Sequence, residues 1–160
     1  MTFGSFNNFA KINNNVVRVW SEILKSIKNS KLILKSSIPL QTINIKKQFK
    51  KYGVLDSVIF SGSKPFKEHL NLYNSIDICL DTFPYNGVTT SFEALWMGVP
   101  VLTMKGYNFN SRCGESINKN LNLMSMIADD ENDYISKAKE FLDKEKLVNT
   151  RNIVFDNLLE

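Results

Sequence analysis

The sequence predicts an α/β fold in which a parallel sheet is covered by helices on both faces. Short apolar runs, such as Leu32–Leu34 and Val58–Phe60, alternate along the chain with longer segments of helical periodicity. Strands that are apolar on both faces are typical of parallel sheets, whose crossover helices cover them. The chain has 160 residues, of which 43% are hydrophobic, and contains no repeat or linker. A single domain, residues 1–160, is therefore expected.

Each element follows from a local pattern. Apolar residues at positions 16, 20, 23, 24 and 27 share one helical face and predict a helix over about 14–28. A second helix ends at Gly53, a third begins near Pro65, and a fourth extends from about Thr90 to Met97. Strands are predicted, in chain order, at Leu32–Leu34, Val58–Phe60, Ile76–Leu80 and Pro100–Met104. The chain after the fourth strand is predicted to be helical.

Right-handed crossovers bring the loops that follow parallel strands to one edge of the sheet, where ligands of such folds bind. The predicted strands place four loops at that edge, namely 35–41, 61–68, 81–90 and 105–111.

Composition excludes several classes of protein. The net charge of +4 comes from scattered lysines, whereas nucleic-acid binding is associated with a tighter basic patch. Cys79 and Cys113 have neither metal-ligand nor disulfide spacing, and Cys79 is expected to be a buried small hydrophobe. No apolar stretch approaches the ~20 residues of a membrane span, and the first residues lack the layout of a signal peptide. A cytoplasmic protein without nucleic-acid or membrane partners is expected.

The loop Asp81–Glu93, with the sequence DTFPYNGVTTSFE, carries the strongest local signal for a ligand. Gly87 permits a close backbone approach or a positive φ, and Thr89 and Thr90 then begin a helix. The free N–H groups and positive dipole end of a helix start suit a diphosphate, to which the threonine hydroxyls could add donors. Glu93, one turn later, could accept hydrogen bonds from a ribose diol.

A purely structural interpretation of the same residues is also open. Thr90 and Glu93 have the spacing of a capping box, in which the two side chains satisfy only the amide groups of their own helix. Spacing alone does not choose between the two interpretations.

Three segments of the sequence resemble the O-linked N-acetylglucosamine transferase family, and most closely its bacterial members, which are often fused to tetratricopeptide repeats. The segments are Phe6–Ile12, Cys79–Thr90 and Glu93–Thr103, and the similarity extends from about Thr2 to Val154. The resemblance implies a Rossmann-like half of a two-lobed GT-B glycosyltransferase. It covers only the C-terminal lobe, which in that family holds the uridine diphosphate (UDP) of the sugar donor.

The resemblance also implies roles for particular positions. In that family a polar residue and a lysine in the first loop contact the donor phosphates, a Gly-x-Thr-Thr helix start receives the diphosphate, an acidic residue holds the ribose, and a histidine contacts the nucleotide. In this sequence the corresponding positions are Asn8, Lys11, Gly87, Thr89, Thr90, Glu93 and His69. The ammonium of Lys11 would be catalytic, because it would offset the charge that builds on the leaving diphosphate without a metal or other cofactor.

Two of these assignments have simpler alternatives. Most lysines are solvated surface groups, and Lys11 could be one of them. A lone histidine near a helix start is more often packed than ligand-binding, although a neutral His69 ring could pack beside the uridine, because a helix N-terminus disfavours a charged imidazole.

The sequence departs from the animal enzymes of that family at several positions. Asn8 replaces glutamine, Glu93 replaces aspartate, Val88 replaces a donor-contacting histidine, and Phe66 replaces a lysine. These changes leave the nucleotide in place but leave the sugar open between N-acetylglucosamine and another hexose such as glucose.

The function predicted from the sequence is the donor-binding lobe of a UDP-sugar-dependent protein glycosyltransferase. The first lobe, which faces the acceptor protein, is absent from this chain, so the chain is expected to bind UDP weakly and to transfer nothing unaided. A non-catalytic UDP-sugar-binding module or partner subunit, and a remnant without a ligand, are the alternatives. Without that lobe the last helix is expected to expose an apolar patch formed by Leu147, Ile153, Phe155, Leu158 and Leu159.

Overall fold

The fold is built on one six-stranded sheet in which every pairing is parallel. A computed structural model describes residues 1–36 and 38–158. The strands are β1 (Thr2–Ser5), β2 (Lys31–Lys35), β3 (Val58–Ser61), β4 (Ile78–Leu80), β5 (Val101–Met104) and β6 (Ile127–Ala128). Their spatial order is β3-β2-β1-β4-β5-β6. This is the doubly wound order of Rossmann folds, and it confirms the predicted fold class.

The helices connect these strands and cover the sheet. They are α1 (Asn14–Ser26), α2 (Pro39–Lys51), α3 (Phe66–Leu72), α4 (Thr89–Trp96), α5 (Cys113–Asn120), α6 (Glu131–Glu140) and α7 (Lys144–Leu158). The side chain of Asn13 caps α1 by accepting from two backbone N–H groups of the first turn. Gly53 follows α2 with a φ of +72°, which confirms its predicted role at the end of that helix. Cys79 is buried, as predicted.

Two strands were not predicted, and both lack a pattern of their own. β1 is only four residues long and includes Gly4, and a side chain there would collide with Ile76, because a Cβ would lie 2.2 Å from its Cδ1 atom. β1 is a strand because it pairs with β2 on one side and β4 on the other. β6 has two residues and interrupts the region that was predicted to be wholly helical.

The strand order places a topological switch point between β1 and β4, because connections lead from β1 to one side of the sheet and from β4 to the other. The loops that follow these two strands separate at that point and leave a crevice at the carboxyl edge. The loop after β1 was not among those predicted to reach this edge, because β1 itself was not predicted. It contains Asn8 and Lys11, so both lie at the crevice.

The last helix packs on this domain, which corrects most of the predicted exposed patch. Leu147 and Leu158 pack against the hydrophobic core, and Val154 of the same helix is fully buried. Ile153 and Phe155 retain exposed fractions of 38% and 52%. Leu159 lies outside the described residues. The domain therefore supplies its own partner for α7.

Replacing Gly98 with alanine is expected to destabilise the fold by about 3 kcal/mol. Gly98 has a φ of +70°, and a Cβ there would lie 2.2 Å from the Phe155 ring of α7. Gly53→Ala is a matched control, because Gly53 has a φ of +72° but no atom within 4 Å of a Cβ. Left-handed backbone alone costs roughly 1–2 kcal/mol, and the collision adds to it. Denaturant unfolding that gives equal losses for both variants would contradict the packing of α7 described above.

Candidate functional site

Two clefts open at the carboxyl edge of the sheet and meet at the switch point. The first has a volume of about 340 Å³ and extends toward the loops after β2 and β3. The second has a volume of about 360 Å³ and lies between the loops after β1 and β4 and the start of α5. Asn7, Asn8 and Thr90 line both clefts. A ligand with two chemically different halves could therefore lie across this point.

Asp81, the first residue after β4, anchors the loop that leads to α4. Its side chain is buried, and Oδ1 accepts hydrogen bonds from the N–H groups of Thr82 at 2.9 Å and Gly87 at 2.7 Å. Oδ2 accepts a hydrogen bond from the Thr103 hydroxyl of β5 at 2.8 Å. Burial raises the pKa of Asp81 to about 6, although the hydrogen bonds from Gly87 and Thr103 oppose that rise.

Gly87 contributes space to the site. Its φ is not positive, so of the two predicted reasons for glycine only the close approach applies. A Cβ at this position would lie 2.7 Å from both the Asn7 Oδ1 and Thr90 Oγ1 atoms. Because the Gly87 N–H group donates to Asp81, it points into the protein and not toward a ligand. Gly87 therefore allows the loops after β1 and β4 to meet.

The start of α4 lies at this junction. The helix begins at Thr89, and the preceding Val88 provides no side-chain cap. The Thr90 hydroxyl donates to Asn7 Oδ1 at 2.8 Å, and Glu93 contacts α3. The capping-box interpretation of Thr90 and Glu93 is therefore wrong, because neither side chain caps the helix. Thr89 is exposed, and its hydroxyl has no hydrogen-bond partner in the described part of the chain.

Lys11 crosses from the loop after β1 to the loop after β4. Its Nζ atom donates to the Asn86 carbonyl at 2.9 Å and lies 4.3 Å from the centre of the Tyr85 ring. Burial lowers the pKa of Lys11, and the negative charge of Asp81 opposes that change. Lys11 is therefore a partly desolvated cation at the wall of the second cleft, and the surface-lysine alternative is wrong.

The structure places the seven predicted site residues in two groups. Asn8, Lys11, Thr89 and Thr90 line the second cleft, and Gly87 lies beneath them. Asn8 is exposed, and its Oδ1 atom accepts from the Ala10 N–H group. His69 and Glu93 form a second group: His69 Nε2 lies 2.9 Å from Glu93 Oε2, and neither residue lines either cleft.

Four further residues belong to the site but were not predicted as site residues. Asn7 and Asp81 link the two loops, Asn86 receives Lys11, and the Tyr85 ring lies beside the Lys11 ammonium. Asp81 had a detectable signal, because a charged residue directly after an apolar strand lies at the carboxyl edge of the sheet. In the described residues no group of three or more His, Cys, Asp or Glu side chains is arranged to hold a metal ion.

Comparison with known families agrees with this geometry. Residues 1–159 match the profile of Glycosyl transferase family 41. The chain belongs to that family. It is 38% identical over 149 residues to a rice protein described as a probable UDP-N-acetylglucosamine–peptide N-acetylglucosaminyltransferase SPINDLY, and that alignment covers 86% of the chain and 15% of the rice protein. A Caenorhabditis elegans UDP-N-acetylglucosamine–peptide N-acetylglucosaminyltransferase is 31% identical over 94% of the chain and 13% of its own length.

Solved structures give the same result. A K341M mutant of the Thermobaculum terrenum O-GlcNAc transferase superposes with a TM-score of 0.93 at 31% identity, over 98% of this chain and 31% of that one. Staphylococcus aureus TarM, at 14% identity and a TM-score of 0.70, shares the fold. The predicted family resemblance and the GT-B half-fold are confirmed. The family 41 chain described here thus spans about one-seventh of the length of its curated relatives.

A search of the described helices for length and hydropathy found none that would cross a membrane.

Proposed function

We propose that this family 41 chain is the donor-binding lobe of a glycosyltransferase that moves N-acetylglucosamine, or another hexose, from a UDP-sugar to protein serine or threonine. The observation that carries the proposal is the junction at Gly87, where the start of α4 and the Lys11 ammonium face one cleft. A helix start and a partly desolvated cation together are suited to a diphosphate. The acceptor protein would bind to a separate lobe or chain.

In this proposal the diphosphate lies in the second cleft. The N–H groups of the first turn of α4 and the exposed Thr89 hydroxyl donate to its oxygens. The Thr90 hydroxyl donates to Asn7, so it holds the loop unless the ligand displaces that bond. Asn8 reaches the same oxygens from the loop after β1.

Lys11 would have the catalytic role. As the bond between the sugar and the diphosphate breaks, negative charge builds on the diphosphate, and an ammonium already held nearby stabilises it without reorganisation. We propose that this charge replaces a metal ion and that the reaction needs no cofactor. We further propose a cytoplasmic setting, where UDP-sugars and protein hydroxyl groups would meet.

The sugar would lie at the far end of the second cleft, beside Tyr85, Val88, Phe109 and Cys113. Aromatic and apolar walls of this kind pack against the C–H faces of hexoses and leave the hydroxyl groups for polar partners. These residues are compatible with N-acetylglucosamine and with glucose.

Calorimetric titration of the chain with UDP tests this proposal. We expect saturable binding, and we expect Lys11→Ala to weaken it at least tenfold, because a charge-assisted hydrogen bond contributes about 1.5–3 kcal/mol. Lys139→Ala is the matched control, since Lys139 is exposed in the last turn of α6, away from the carboxyl edge of the sheet. GDP in place of UDP tests the base, and EDTA in place of Mg²⁺ tests independence of metal.

Three results would count against the proposal. Absence of UDP binding by the unmodified chain would refute the donor site, and equal losses in the Lys11 and Lys139 variants would refute the placement of the diphosphate. Binding that requires Mg²⁺ would refute the role given to Lys11. We expect no sugar transfer by this chain alone, so transfer by the pure chain would refute the assignment of the acceptor site to a separate lobe.

A further inference from the structure

His69 and Glu93 form a direct contact between α3 and α4. His69 Nε2 lies 2.9 Å from Glu93 Oε2, and His69 is buried whereas Glu93 is partly exposed. Because an ionised carboxylate only accepts hydrogen bonds, the Nε2 atom must carry the proton of this contact. His69 therefore donates to Glu93.

Aromatic neighbours hold the histidine ring in this orientation. The ring centre of His69 lies 5.4 Å from that of Phe6 and 5.6 Å from that of Tyr73. The Tyr73 hydroxyl lies 3.5 Å from the same Glu93 Oε2 atom. The Nδ1 atom of His69 is buried and has no partner among the described residues. A ring enclosed in this way cannot pack against a base without leaving its site.

The two oxygens of Glu93 have different environments. Oε2 receives His69 and Tyr73, whereas Oε1 forms no hydrogen bond with the described residues and is not buried. A glutamate side chain has three rotatable bonds, and fixing them costs conformational entropy unless a neighbour has already done so. The contact with His69 orders Glu93 before any ligand arrives.

We propose that His69 is a positioning residue, which fixes Oε2 of Glu93 so that Oε1 is presented to the ribose hydroxyl groups of the donor nucleotide. This inference rests on the proposed function, because it takes the nucleotide to be the ligand. It differs from direct contact between His69 and the base. It also explains why a buried nitrogen without a partner is tolerated, because the other nitrogen of the ring has a task in binding.

The test compares the affinity of the chain for UDP, 2′-deoxy-UDP and 3′-deoxy-UDP. We expect unmodified protein to prefer UDP about tenfold over at least one deoxy analogue, because Glu93 accepts from the missing hydroxyl. His69→Phe keeps an aromatic ring but cannot donate, so the preference should fall to about twofold or less. His69→Gln retains a donor of similar reach and should keep most of the preference.

Two further variants complete the design. Glu93→Gln should lose the preference, and adding His69→Phe to it should change the preference no further, because both substitutions remove the same interaction. If His69→Phe does not fold, His69→Asn replaces it, since its amide is too short to reach Glu93. Thermal unfolding establishes which variants are folded.

The outcomes separate the inference from the proposed function. Absence of UDP binding by unmodified protein overturns both, and binding without any preference over either deoxy analogue overturns the role of Glu93 and hence of His69. If the His69→Phe variant binds UDP and the deoxy analogues with equally reduced affinity, so that the preference survives, His69 is only a packing residue. In that case the inference is wrong and the donor site stands.

Discussion

Gly87→Ala is expected to weaken UDP binding about 100-fold or more while the chain remains folded. The added Cβ would lie within 2.7 Å of Asn7 Oδ1 and Thr90 Oγ1, and 2.9 Å from Ser91 Oγ. These atoms belong to the loop after β1 and the first turn of α4, so the collision separates the two walls of the cleft. Displacement of about 1 Å between binding groups is sufficient for a loss of this size.

The cost of the same substitution to stability should be smaller, about 1–3 kcal/mol, because the contacts are with side chains at the edge of the core. Gly62→Ala is the matched control: Gly62 lies in the loop after β3, its φ is not positive, and no atom lies within 4 Å of a Cβ there. Calorimetry with UDP and thermal unfolding on both variants separate binding from stability. UDP affinity within twofold of unmodified protein in Gly87→Ala would show that the two loops need not approach so closely.

Asp81→Asn is expected to raise the free energy of unfolding at pH 7.5 by up to about 3 kcal/mol. Burial raises the pKa of Asp81 in the folded chain to about 6, compared with 3.8 for an unperturbed aspartate. Each unit of such a difference corresponds to roughly 1.4 kcal/mol, and Asp81 is fully buried, so solvent does not screen it. Asparagine keeps acceptors for Thr82 and Gly87 and can donate to Thr103, but it carries no charge.

The pH dependence gives the sign of this effect. The folded state holds the proton of Asp81 more tightly than the unfolded state, so its contribution to stability is complete below about pH 3.8 and is lost as the pH rises through about 6. The unfolding free energy of Asp81→Asn relative to unmodified protein should therefore increase across this window. Asp56→Asn, at an exposed position, should show no such trend.

Asp81→Ala completes the comparison, because it removes the charge together with the hydrogen bonds. The buried N–H groups of Thr82 and Gly87 would then lack acceptors, and each such loss costs about 1–3 kcal/mol. We expect this variant to be less stable than unmodified protein at pH 7.5. A destabilised Asp81→Asn variant with no change in pH dependence would refute the account of Asp81 as a costly buried charge that serves the loop.

The other members of the site depended on contacts between distant parts of the chain. Lys11 and Asn86 are separated by 75 residues, Asn7 and Thr90 by 83, and His69 and Glu93 by 24. Periodicity describes only neighbours along one element, so it could not choose between a capping box and a contact with another helix for Glu93. The structure decided this, because α3 and α4 end on the same side of the sheet.

The sequence by itself determined the fold class, the family and the position of most helices, because these depend on local apolar patterns and on one long motif, Leu80–Thr103. It located the diphosphate loop for the same reason. Only the tertiary structure decided that Thr2–Ser5 is a central strand, that α7 packs on its own domain, and that Asp81 anchors the loop. Each of these depends on which surfaces meet across the sheet, and strand pairing, side-chain burial and hydrogen bonding between distant residues form only when the chain is folded.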